Sequence, residues 1–89
     1  MTEMYAVFRG IVQGVGFRYT AVRVARKYNL TGWVRNRLDG SVEMIVQGNK
    51  PDILKMLEDL KTQFEGYIRS SEVEYRDPQE IFTDFSVRF

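Results

Sequence analysis

The chain has 89 residues, 44% of them hydrophobic and 28% charged, with no cysteine, no histidine and a net charge of +1. That length suits one domain, expected over residues 1–89, and the composition is that of a soluble globular protein rather than a disordered or collagen-like one. Without cysteine or histidine, disulfides, thiolate nucleophiles, phosphohistidine intermediates, Ser-His-Asp triads and nearly every common zinc enzyme are excluded, so neither a metal nor a cofactor is expected.

No apolar run approaches the ~18 residues of a transmembrane helix. The start, Met1-Thr2-Glu3-Met4-Tyr5, lacks the basic flank and apolar stretch of a signal peptide, so a cytoplasmic location with no membrane partner is expected. Charge is spread unevenly. Residues 1–40 carry seven basic and two acidic side chains, a net of +5, whereas residues 41–89 carry six basic and ten acidic ones, a net of −4. A basic first half suits an anionic ligand, and chance clustering on solvated faces accounts for it equally well.

In chain order, residues 4–12 are rich in β-formers and read as a strand. Gly14 and Gly16 break that pattern. From Phe17 onward Ala21, Val24, Ala25 and Tyr28 recur on one helical face, and Asn29 is a natural terminator. Thr31 to Asn36 reads as a second strand, Asp39-Gly40 as a tight turn, and Ser41 to Gln47 as a third strand with Val42, Met44 and Val46 alternating. These two strands form an antiparallel hairpin. Pro51 suits the first turn of a second helix, whose stripe is Ile53, Leu57, Leu60 and Phe64, with Leu54 beside it. Ile68 to Tyr75 and Thr83 to Phe89 are further extended segments, joined by a turn near Asp77-Pro78. The order β-α-β-β-α-β, with the last strand region split or extended, predicts an α+β ferredoxin-like sandwich: an antiparallel sheet with two helices on one face. Such a fold does not by itself specify a function.

Two segments carry chemistry. Gly10-Ile11-Val12-Gln13-Gly14-Val15-Gly16-Phe17-Arg18 joins the first strand to the first helix. Glycines there let backbone amides turn inward around a small anion. The helix adds its positive end, and Arg18 adds a planar fork of donors for two oxygens. The bland alternative is a glycine-rich turn with a solvent-facing arginine. No Gly-Lys-Ser/Thr closes the loop and no third glycine follows at the dinucleotide spacing, so a nucleotide site is disfavoured. The second segment is Gly32-Trp33-Val34-Arg35-Asn36-Arg37-Leu38-Asp39-Gly40-Ser41-Val42-Glu43. Taken alone, its Asn36 reads as a turn former, Trp33 as a sheet-face anchor, and Arg35 and Arg37 as solvated side chains.

Together the two segments closely resemble the acylphosphatase family, whose signature runs Gly-x-Val-Gln-Gly-Val-x-Phe-Arg and then Gly-Trp-Val-x-Asn-x-x-Asp-Gly-x-Val. The closing Phe85-Ser86-Val87-Arg88-Phe89 is similar to the family's last strand, so the resemblance covers nearly the whole chain. It implies a metal-independent hydrolase that splits acyl phosphates into a carboxylate and inorganic phosphate, on the same ferredoxin-like fold. Arg18 matches the catalytic arginine, which binds phosphate with the amides of Gln13, Gly14, Val15, Gly16 and Phe17. Asn36 matches the asparagine that orients the attacking water. The chain departs from many members at Ile11, where a basic residue is common. It departs again at residues 62–69, where a Gly-Pro turn is common. The implied partner is a small-molecule acyl phosphate, acted on by a monomer. Rival readings are a non-catalytic anion-binding or regulatory module on the same fold, and a nucleic-acid binder. The second is disfavoured by the low net charge and the lack of an aromatic run of the RNP type.

Overall fold

The computed structural model describes all residues, 1–89. Strand β1 spans Thr2–Gly10, helix α1 Phe17–Lys27, β2 Thr31–Asn36, β3 Val42–Gly48, α2 Lys50–Gln63, β4 Ile68–Arg76 and β5 Phe85–Val87. The strands form one sheet in the order β4-β1-β3-β2-β5. Strand alternation sends Met4, Ala6, Phe8, Val34, Val42, Met44 and Val46 to one face, where they form one core with both helices. Phe17 shows why the helices hold there. Its ring is fully buried and packs between Phe8, 5.1 Å away, and Phe64, 4.8 Å away. Burying one such ring contributes about 1.5–3 kcal/mol.

The sandwich and its two helices are as expected, and the sheet differs in one respect. It is mixed rather than wholly antiparallel, because β5 pairs in parallel with β2 through Gly32–Phe85, Trp33–Ser86 and Val34–Val87. The physical reason lies in residues 77–84. They carry the chain from β4 on one edge to β5 on the other, so β5 meets β2 from outside rather than returning beside β4. Buried Gln47 anchors this crossing: its Nε2 donates to Glu80 O (2.5 Å) and Glu3 Oε1 (2.8 Å), and its Oε1 accepts from Phe82 N (3.0 Å). The last strand is therefore shorter than the extended run at 83–89 suggested. Strand β1 also ends early, at Gly10, where the register with β4 shifts. Ile11 leaves the sheet and donates its amide to Tyr67 O at 2.8 Å.

Register decides which loops share an end of the sheet. Phe8 pairs with Val42, and Val42 pairs with Asn36, so the three lie in one row across β1, β3 and β2. Two strand spacings of ~4.8 Å separate the outer members by roughly 10 Å. The loop after β1 and the end of β2 thus emerge side by side. The Glu3–Gln47–Thr31 row, with the 77–84 crossing, lies at the far end.

Candidate active site

The loop between β1 and α1 turns through two residues in left-handed backbone conformation, Gly14 (φ 75°) and Gly16 (φ 81°). Side chains rarely adopt this conformation. Gly16 is also the N-cap of α1, so no side chain caps that helix, and its first turn holds no acidic residue. Helix α2 differs, with Asp52 in its first turn. The dipole end of α1 therefore keeps its positive potential for an external group. None of the backbone amides of Gln13, Gly14, Val15, Gly16, Phe17 or Arg18 donates to a backbone carbonyl. They remain available to an anion.

Arg18 lies in the first turn of α1, where the Cα–Cβ bond leans back toward the helix start. It lines a cleft of about 180 Å³ together with Gly14 and Gly16. Its guanidinium forms no ion pair, whereas Arg9, Arg35, Arg37 and Arg76 each reach a carboxylate. Its neighbour is the ring of Phe89, 5.5 Å from the guanidinium carbon.

Asn36 ends β2 on the same face as core residue Val34, the face that carries the helices. Its Oδ1 is buried and has no protein hydrogen-bond partner. The depression it lines also includes Leu38 and Phe89, and Phe89 lines the cleft over Arg18 as well. Trp33 and Arg35 point to the opposite face. Arg35 is exposed, as expected, and it also donates from Nε to Glu43 Oε1 at 2.5 Å and stacks 5.1 Å over Trp33. Burial raises the Glu43 pKa, but the Tyr5 hydroxyl and Arg35 outweigh it and bring that carboxyl below its usual value. The same bond raises the Tyr5 hydroxyl.

The turn after Asn36 is closed by Arg37 N donating to Ser41 O at 2.8 Å and Gly40 N to Arg37 O at 3.2 Å. Asp39 braces it, accepting from Ser41 Oγ (2.5 Å) and Ser41 N (3.0 Å). These Ser41 bonds, helped by nearby Arg37 and Arg9, hold the Asp39 carboxyl down at about 2.

Sequence reasoning placed Gln13 through Arg18 in one anion cradle, and the structure brings those residues together at the start of α1. It did not foresee where the Gln13 side chain goes. Its Nε2 reaches across to the hairpin, donating to Arg37 O at 2.7 Å and Ser41 O at 2.9 Å. Nor did it foresee Phe89 between Arg18 and Asn36. Neither pattern nor spacing carries a signal for such contacts. A separate cavity of about 230 Å³ lies by the 77–84 crossing, lined by Glu3, Ile45 and Arg76 among others. Its Glu3 and Arg76 pair with each other at 2.6 Å, so it offers no free cation to an anion.

The acylphosphatase family model matches residues 4–87, and the chain belongs to that family. It is 55% identical over 53 residues to an acylphosphatase of Burkholderia mallei, covering 60% of this chain and 54% of that protein. The alignments span about half the length of curated relatives such as this one. Against the crystal structure of acylphosphatase from Bacillus subtilis, the TM-score is 0.93 at 33% identity, covering the whole of both chains. The structure of HypF from T. kodakarensis contains a similar unit: TM-score 0.86 and 33% identity, covering all of this chain but 12% of that one.

Proposed function

We propose that this protein hydrolyses acyl phosphates, with the loop Gln13–Arg18 holding the phosphoryl group and Asn36 placing the water. The observation that carries the reading is the row of unused amides at the uncapped start of α1, joined by an arginine with no carboxylate partner. A phosphoryl group is the dense, multiply accepting anion such a cradle suits. Membership of the acylphosphatase family supports the same conclusion.

In the reaction, amides and guanidinium accept no proton. They stabilise the charge that spreads over the phosphoryl oxygens in the transition state. The buried Asn36 Oδ1 takes a hydrogen bond from a water and aims it at phosphorus. The water oxygen bonds to phosphorus as the bond from phosphorus to the acyl oxygen breaks. The electron pair leaves with the carboxylate, a good leaving group without acid assistance. The water's proton passes to a phosphate oxygen, so no dedicated base is required. Charge stabilisation falls to Arg18 and the amides, which makes turnover independent of a metal.

The test is hydrolysis of a simple acyl phosphate with and without a chelator, in wild type, Arg18→Ala and Asn36→Ala. Turnover that survives the chelator and collapses in both variants is expected. Tight binding of inorganic phosphate with no hydrolysis by the wild type would instead support a non-catalytic anion-binding module.

A further inference from the structure

We infer that the Gln13 side chain is a positioning residue that sets the attacking water against the bound phosphoryl group, an inference that rests on the hydrolytic reading above. The two halves of the site belong to different parts of the chain. The amides and Arg18 belong to the loop and α1, while Asn36 belongs to β2. Register places them at one end of the sheet, but strand β3 lies between β1 and β2. An in-line attack needs these halves held to within a fraction of an ångström, and a misplacement of ~1 Å can cost ~10²-fold in rate.

Gln13 is the polar side chain that spans the gap. It leaves the loop and puts one amide nitrogen between two carbonyls of the hairpin, Arg37 O and Ser41 O. Arg37 is the residue after Asn36, and its carbonyl belongs to the Arg37–Leu38 peptide, so the strut grips the hairpin one residue beyond the water-placing side chain. Both carbonyls already have a backbone donor of their own, Gly40 N and Arg37 N. The hairpin is thus closed without Gln13, and the two extra bonds are not needed to form the turn. What they add is a fixed distance between loop and hairpin. An amide suits the task because its nitrogen has two hydrogens for two acceptors and carries no charge toward the anion site.

Three variants test this. Gln13→Ala removes the strut, Gln13→Met keeps its bulk without donors, and Gln13→Glu turns an acceptor toward the two carbonyls. We expect all three to lower kcat by about 10-fold or more. Inhibition by inorganic phosphate should stay within about threefold of wild type in the Ala and Met variants, because anion binding uses the loop amides and Arg18. Combined with Asn36→Ala, Gln13→Met should cost almost nothing further, since there is no placed water left to disturb. A merely structural role would not produce that non-additivity. Near-normal kcat in Gln13→Met, or an equal loss in the presence and absence of Asn36, overturns the inference. If the wild type releases no phosphate from acyl phosphates, the hydrolytic reading itself fails. An active wild type that depends on Arg18 and Asn36, but shows additive Gln13 effects, refutes the strut alone. Should the alanine variant not fold, the methionine variant gives the same decision.

Discussion

Changing Arg18 to lysine keeps a positive charge and removes the planar fork, so it isolates geometry from charge. In the structure this guanidinium has no carboxylate partner and lies 5.5 Å from the Phe89 ring, and Arg18 is among the residues lining the cleft of Gly14 and Gly16. Under the proposed function its work is directed at the phosphoryl group. A fork offers two parallel bonds to two phosphoryl oxygens where an ammonium offers a point charge. Losing one bond to an ionised group removes about 1.5–3 kcal/mol, which is about 10- to 150-fold at 1.4 kcal/mol per decade. Donors aimed at developing charge lie toward the upper end of that range or beyond. We expect kcat for a simple acyl phosphate to fall by about 10²-fold. Folding gives the control. The interaction the guanidinium loses is that with the ring of Phe89, an exposed cation–π contact worth about 0.5–1 kcal/mol and partly kept by lysine. That bounds the fall in Tm at about 8 °C for a domain of this size. Assays well below Tm then measure chemistry alone. A kcat within about threefold of wild type would refute the clamp, as would a rate loss that merely follows unfolding.

Asn36→Ala should lower turnover by about 10²-fold or more while inorganic phosphate inhibits as in wild type; parallel losses of rate and phosphate affinity would count against separate water and anion sites. Phe17→Ala should destabilise by about 3–5 kcal/mol in urea titration, because the ring is buried between Phe8 and Phe64; a loss below about 1 kcal/mol would show that the ring is not packed as described. The Asp39 carboxyl is depressed to about 2 in the folded chain, so its bonds to Ser41 stabilise the hairpin above the ordinary carboxylate range and are lost as pH falls from about 4 to 2. Comparing acid unfolding of wild type and Asp39→Asn should show that this component disappears in the variant; superimposable pH profiles would contradict it. Activity should be nearly flat from pH 5 to 8, since the shifts the fold produces move Asp39 and Glu43 down and Tyr5, Tyr28, Tyr75 and Arg76 up, away from neutrality. A steep bell in kcat near neutrality, unexplained by substrate ionisation, would overturn a mechanism without a side-chain base.

Local patterns made much of this protein legible from its residues alone. The helical stripe from Phe17, the alternation of Val42, Met44 and Val46, and the Asp39-Gly40 turn are short-range signals. They name the elements and their order. Gly14, Gly16 and Arg18 lie within a few residues of one another, so their meeting at a helix start is also a local matter. Contacts between distant segments are different, because no periodicity encodes them. The parallel pairing of β5 with β2 depends on Gln47 holding the 77–84 crossing. Likewise, the row of Phe8, Val42 and Asn36 depends on strand register, and the reach of Gln13 to Arg37 and Ser41 depends on both loops emerging at one end of the sheet. Residues alone determined the elements and the chemistry available to them. Only the folded chain decided which of those groups come to the same end of the sheet, because that placement arises from packing between segments far apart in sequence.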